Sequence, residues 1–130
     1  VEGKREMEGL MSKMNERGVW QERYCVLIGL QLHYYKKQED KVPVGSISLE
    51  DAAVESAEQR VGRRSALEVF APQRNFYLAP DDAQESKTWE KAIRDNQMRC
   101  LQTTMYAVEQ EETSYWPRRV VLSINENGIQ

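Results

Sequence analysis

At Pro80 the hydrophobic pattern of the chain changes period. Before it, apolar and polar residues alternate in short runs separated by turn residues; after it, apolar residues recur every third or fourth position. A strand side chain changes face at every step, whereas a helical one returns to its face after about 3.6 residues, so the two stretches build different elements. Seven runs alternate: Met7 to Lys13, Trp20 to Ile28, Gln31 to Lys37, Val44 to Leu49, Asp51 to Ser56, Ser65 to Phe70 and Arg74 to Ala79. Met14-Asn15-Glu16-Arg17-Gly18 closes the first pair as a polar hairpin loop, and Ala71-Pro72-Gln73 turns the last pair, with Pro72 setting φ. Strands this short and closely spaced predict an antiparallel all-β body. Within the second run, Gln21, Arg23, Cys25 and Leu27 fall on one face and Tyr24, Val26 and Ile28 on the other.

Beyond Pro80, Asp81 can accept from the first helical N–H groups while Gln84, three residues on, reaches back. The spacing predicts a helix from about Asp82 to about Arg99. Trp89, Ile93 and Cys100, with Ala92 beside them, form its apolar stripe; Asp82, Glu85, Lys87, Glu90, Lys91, Arg94 and Asp95 fill the rest. One amphipathic helix thus caps the β body, and Leu27, Trp89 and Ile93 belong to the predicted core.

A chain of 130 residues, 40% apolar and 30% charged, holds one domain of ordinary size and a short extra element. Its longest apolar run, Cys25 to Leu30, is interrupted by Gly29 and falls far short of the roughly 20 residues of a spanning helix. Val1 to Asn15 carries no apolar stretch of the kind a secretion signal needs. The net charge of -3 gives no global field toward nucleic acid, so any anion site must be local. Residues 1–48 hold 8 basic against 7 acidic side chains, and residues 49–130 hold 10 against 14. The first third is therefore the less repulsive place for a phosphate. Cys25 and Cys100 read as small core residues in a reducing, cytoplasmic compartment.

No catalytic signature emerges. Cys25 and His33, the one histidine, lack an orienting carboxylate and an oxyanion motif. The chain has no Gly-rich phosphate loop, no metal-ligand spacing and no nucleophile elbow, so neither an enzyme, a metal nor a cofactor is expected. Arg60-Val61-Gly62-Arg63-Arg64 is the densest basic cluster, but no aromatic residue interleaves it, and it reads as a solvated loop rather than an RNA platform.

Several pieces together resemble the pleckstrin homology (PH) family over about Met7 to Asn96: Glu8-Gly9-Leu10-Met11-Ser12-Lys13, Trp20-Gln21-Glu22-Arg23-Tyr24-Cys25-Val26-Leu27, Leu32-His33-Tyr34-Tyr35-Lys36, Gly45-Ser46-Ile47-Ser48-Leu49, and Phe76-Tyr77-Leu78-Ala79 followed by Trp89. The resemblance implies a mainly β fold: a seven-stranded, bent antiparallel sandwich or barrel closed by one C-terminal helix, with Trp89 plugging the open end. It also implies a phosphoinositide site at the barrel mouth. Lys13, Arg23 and Tyr34 match the family's ligand positions, with Arg17 in the first loop and Lys36 on the third strand as further donors. Gln21 and Val44 stand where strong binders carry bases, so the implied cradle is thin and its binding weak. The implied role is a non-catalytic membrane-recruitment module of a multidomain signalling or cytoskeletal scaffold, peripheral at the inner face of the plasma membrane. The same fold and charges also serve protein docking without lipid.

In the tail, Met105 to Gln110 and Arg118 to Ile124 read as two further strands, followed by an Asn125-Glu126-Asn127-Gly128 turn. This text is similar to the first two strands of a FERM third lobe, found in myosin-tail-like scaffolds. The expected organisation is a lead (1–6), a PH-like domain (7–100) and an extra hairpin (101–130). That hairpin either begins a second PH/PTB-like domain, packs on the first, or pairs with another copy in a dimer.

Overall fold

The computed structural model describes residues 3–115, with side chains to 103 and at 105. Seven antiparallel strands form one sheet: β1 (Met7–Met14), β2 (Trp20–Ile28), β3 (Gln31–Tyr35), β4 (Gly45–Ser48), β5 (Ala53–Ser56), β6 (Leu67–Phe70) and β7 (Asn75–Ala79), in the order β4-β3-β2-β1-β7-β6-β5. β1 is the hinge of this arrangement. It pairs with β2 along its whole length, Met7 with Leu27 to Met14 with Trp20, but with β7 only at Ser12 and Lys13. The two halves of the sheet are thus free to fold toward each other, and one core draws on both: Met11, Cys25, Leu27, Leu32 and Ile47 meet Val54, Leu67, Val69 and Leu78. Trp89 and Ile93, 1% and 0% exposed, enter that core from the helix α2 (Ala83–Tyr115). A second apolar cluster, Tyr24, Val26 and Tyr35 with Ile28 against it, covers the outer face of β2 and β3, so both faces of β2 are apolar.

The helix also supplies polar groups to turns that would otherwise bury bare carbonyls. Asn96 donates to Gly29 O, and Gln97 to both Leu49 O and Ala52 O. Arg94, expected on the solvated face, instead donates to Val54 O in β5 and pairs with Glu90. The N-terminal cap lies one residue later than expected: Asp82, not Asp81, accepts from Glu85 N–H through its side chain.

Five strands, β3 to β7, are shorter than the alternation suggested. Asp51 and Ser65 have φ of 59° and 66°, left-handed values outside the extended range of a regular strand, and β5 and β6 start only after them. Beyond Tyr35 the chain turns at once, with Asp40 N–H donating to Lys37 O. The basic cluster is not a simple solvated loop. A single turn, α1 (Glu58–Val61), ends at left-handed Gly62; Arg60 pairs with Glu68 at 2.6 Å, and Arg63 donates to Ser12 Oγ and lies 4.6 Å from the Trp20 ring centre. Glu68 is a buried carboxylate on β6. Burial works against its charge, but hydrogen bonds from Arg60, Tyr77 and Asn75 outweigh that and hold its pKa below the usual value.

The chain divides into two compact units, Val1–Met98 and Arg99–Gln130. In the second, the described residues continue α2 as helix to Tyr115, with Thr103 Oγ1 donating to Arg99 O. This corrects two expectations: the helix does not stop near Arg99, and Met105 to Gln110 is helix rather than strand. The stretch has no Gly or Pro before Pro117 and is rich in Met, Ala, Glu and Gln. Helical hydrogen bonds are satisfied within the segment, whereas a strand there would need a partner. The expected second tail strand, Arg118 to Ile124, lies outside the described residues.

Ser65 combines a left-handed backbone with a buried hydroxyl that has no hydrogen-bond partner among the described residues. Both features cost free energy in the folded state. Ser65→Gly is therefore expected to raise the unfolding free energy by about 1 kcal/mol in urea denaturation, the relieved strain and orphan hydroxyl outweighing the flexibility of glycine. A lower stability would show that the hydroxyl is satisfied.

Candidate functional site

Partners across an antiparallel pair share a face, so the register sets which side chains meet at the open end of the barrel. Met11 faces Arg23 and Lys13 faces Gln21 across β1 and β2, while Lys13 faces Leu78 across β7. Cys25 faces Tyr34, and Tyr34 faces Gly45. All of these lie on the inner face, and toward the β1–β2 loop the apolar core gives way to charge. There an open pocket of about 320 Å³ is lined by Lys13, Asn15, Glu16, Arg17, Gln21, Arg23, Tyr34, Val44 and Arg74.

Lys13 is the innermost cation, only 7% exposed. Its Nζ lies 4.4 Å from the centre of the Tyr34 ring and 5.6 Å from that of Phe76, and among the described residues no carboxylate pairs with it. Burial, then the charges of Arg74 and Arg23, push its pKa down from the usual lysine value. Arg23 donates to Glu22 O at 2.8 Å and to Gln21 Oε1 at 3.1 Å, which fixes its guanidinium at the pocket wall. Arg74 lies 4.3 Å from the Phe76 ring centre and pairs with Glu16 at 2.6 Å. Gly45 leaves room for Tyr34: a Cβ there would clash with the Tyr34 hydroxyl.

Of the expected donors, Lys13, Arg17, Arg23 and Tyr34 therefore line one pocket, and Lys36 does not. β3 ends at Tyr35, and the exposed Lys36 begins the turn that follows. Sequence reasoning missed Arg74. Its alternation marked it only as the start of a strand, and its approach to Lys13 depends on the β1–β7 pairing, which no local pattern encodes. Gln21, expected only as a missing base, instead orients Arg23.

Cys25 and His33 do not form a pair. Cys25 lies opposite Tyr34 on the inner face, and His33 opposite Ser46 on the outer face, its Nδ1 2.8 Å from Ser46 Oγ. Burial pushes the Cys25 thiol up to about 12 and lowers the His33 pKa. Neither a thiolate nor a base beside it is available at neutral pH.

An uncompensated buried ammonium destabilises the fold that holds it. Lys13→Met is expected to raise stability by about 1 kcal/mol at neutral pH. The sign follows from the lowered pKa. The folded state pays for the charge until the pH climbs through that value, while the unfolded chain keeps its proton to about 10.5. The advantage of the methionine should accordingly shrink as the pH rises through the lowered value, measured by urea unfolding across alkaline pH. A constant difference would contradict it.

A cavity walled by three inward cations, a tyrosine hydroxyl and a loop arginine can hold a multiply charged anion such as a phosphate ester. The family described as "PH domain" matches residues 5–98. Src kinase-associated phosphoprotein 1 of Takifugu rubripes is 33% identical over 94 residues, 69% of this chain and 26% of that protein. Pleckstrin homology domain-containing family A member 5 of Homo sapiens is 30% identical over 92 residues, 67% of this chain and 8% of that protein. The chain thus spans about a quarter or less of these relatives. Among solved structures, the C-terminal PH domain of pleckstrin in complex with D-myo-Ins(1,2,3,5,6)P5 superposes with a TM-score of 0.67 at 25% identity, over 75% of this chain and 99% of that one.

Proposed function

The chain belongs to the PH domain family, and from that premise we propose that it is a non-catalytic recruitment module: its basic mouth binds phosphoinositide head groups and holds the protein that carries it at the cytoplasmic face of the plasma membrane. The observation that carries this reading is Lys13, a buried cation without a carboxylate partner among the described residues, beside Arg23 and Arg74. A fold accepts such a cost where a ligand offsets it. The pleckstrin domain seen with an inositol pentakisphosphate supports the class of ligand.

Binding of modest strength is the expectation. Gln21 and Val44 add no charge, and Glu16 already occupies Arg74. An incoming phosphate competes with that carboxylate. Glu16→Gln removes the competitor and a like charge, and should tighten binding to vesicles containing phosphatidylinositol trisphosphate by about three- to tenfold in co-sedimentation. Unchanged or weaker binding would place the anion elsewhere and return the module to protein docking.

A further inference from the structure

The sheet has two edges, β4 and β5, and the fold treats them differently. Ala57 N–H donates to Ala66 O, so the antiparallel ladder leaves Ala52 and Val54 with their backbone groups turned outward. The helix covers that edge: Gln97 donates to Ala52 O and Arg94 to Val54 O. At the other edge Leu49 N–H donates to Leu30 O, which turns Ile47 and Gly45 toward β3 and Ser46 and Ser48 away from it. Among the described residues nothing takes the outward N–H and C=O of either serine; their hydroxyls meet His33 Nδ1 and Glu50 N–H instead. Neither a charge nor a proline within Gly45–Ser48 guards the edge. It borders an open cleft of about 380 Å³, which the β6–β7 turn lines too, through Pro72 and Gln73, together with Phe76. Glu50 and Asp51, both exposed and in no ion pair among the described residues, line it just past the C-terminal end of β4, and no cation lines it.

We infer that β4 accepts an extended basic peptide of a partner protein as an eighth strand, laid antiparallel along Ser46 and Ser48 with its cationic N-terminal end at Glu50 and Asp51. Each outward serine exchanges two backbone hydrogen bonds with one residue of the peptide, and these supply affinity without reading sequence. Side chains supply the choice. Partners across a ladder share a face, so the peptide residue opposite Ile47 lies on the core side, where Phe76 packs, and is apolar. Those opposite the serines meet hydroxyls and are polar. Charge complementarity selects the basic end: an acidic segment would meet two uncompensated carboxylates, and Gly45–Ser48 of a second copy has no cation to offer them. No residue of the cleft lines the basic mouth, so the two sites stand or fall separately.

The test titrates the full chain with the peptide acetyl-Lys-Lys-Ala-Thr-Val-Thr-Ser-amide and follows hydrogen exchange of single amides by NMR. Bound peptide should slow exchange at Ser46 and Ser48 by about tenfold or more. The same peptide N-methylated at both threonines cannot donate to β4 and should bind about tenfold more weakly, as should one with glutamates in place of its lysines. Ser48→Pro removes one outward donor without touching the ladder to β3; it should cost about tenfold in affinity and melt with the parent. Glu50→Gln combined with Asp51→Asn keeps the test open if the proline disturbs the strand, and should abolish most of the salt dependence of binding. No slowing at Ser46 and Ser48 with millimolar peptide, or equal affinity for the N-methylated peptide, would overturn the eighth strand. Slowing of both amides in the peptide-free chain that grows with protein concentration would overturn it in favour of a second copy.

Discussion

Trp89→Ala should lower the free energy of unfolding by about 3 to 5 kcal/mol, measured by urea denaturation. Trp89 is 1% exposed and joins the cluster that includes Leu27, Leu67 and Leu78, so its truncation leaves a void walled by both halves of the sheet and by α2. Neither half can collapse to fill it. The strands are fixed by their ladders, and α2 is tied to the β4–β5 connection by Gln97 and to β5 by Arg94. A domain of this size has about 5 to 15 kcal/mol in total, so the variant should be close to unfolded at physiological temperature. Met98→Ala, on the same helix but 55% exposed, is the contrast and should change stability by about 0.5 kcal/mol or less. Equal effects of the two would mean that the helix does not close the barrel through Trp89.

Arg23→Ala should weaken phosphoinositide binding by about 2 to 4 kcal/mol, roughly 30- to 1,000-fold, and reduce vesicle retention to background. The guanidinium is already oriented by Glu22 O and Gln21 Oε1, so little order has to be gained on binding, and its planar fork suits a phosphate. Without it, an anion beside Lys13 would face a gap that neither Gln21 nor Val44 can fill. Arg23→Lys should recover part of the loss, since a point charge replaces the fork. The control must carry charge but no structural bond. Arg94 fails that requirement because it donates to Val54 O, whereas Lys87, exposed on α2, meets it. Lys87→Ala should cost well under about 1 kcal/mol, through the long-range field alone.

What was legible in the sequence was whatever a local pattern encodes. β2 reads directly from Trp20 to Ile28, because its aromatic and β-branched residues lie between the turn residues Gly18 and Gly29, although Tyr24 to Leu27 are all buried rather than alternating. Trp89 and Ile93 read as core from helical phase and lie there. The limits of β5 and β6 were not legible, because Asp51 and Ser65 take left-handed backbone for which sequence offers no cue as strong as glycine. The tail strand failed because six residues with loose alternation suit a helix equally well, and helix needs no partner. In the pocket, Lys13, Arg17, Arg23 and Tyr34 lie on neighbouring hairpins and could be placed by family pattern and register. Arg74 is brought beside Lys13 by a pairing between residues about 65 positions apart, and Lys36 lies outside the pocket because β3 ends at Tyr35, two residues short of the expected Lys37. The basic run around Arg60 looked free because Glu68, its buried partner, lies on the far side of a turn.

The most direct test of the central claim is co-sedimentation of the unmodified chain with two vesicle preparations of equal surface charge, one containing phosphatidylinositol trisphosphate and the other phosphatidylserine alone. A pocket that orients Lys13, Arg23 and Arg74 on a head group should retain the protein on the first and release it from the second. Equal retention on both, or retention on neither, would contradict the assignment of the barrel mouth as a phosphoinositide site.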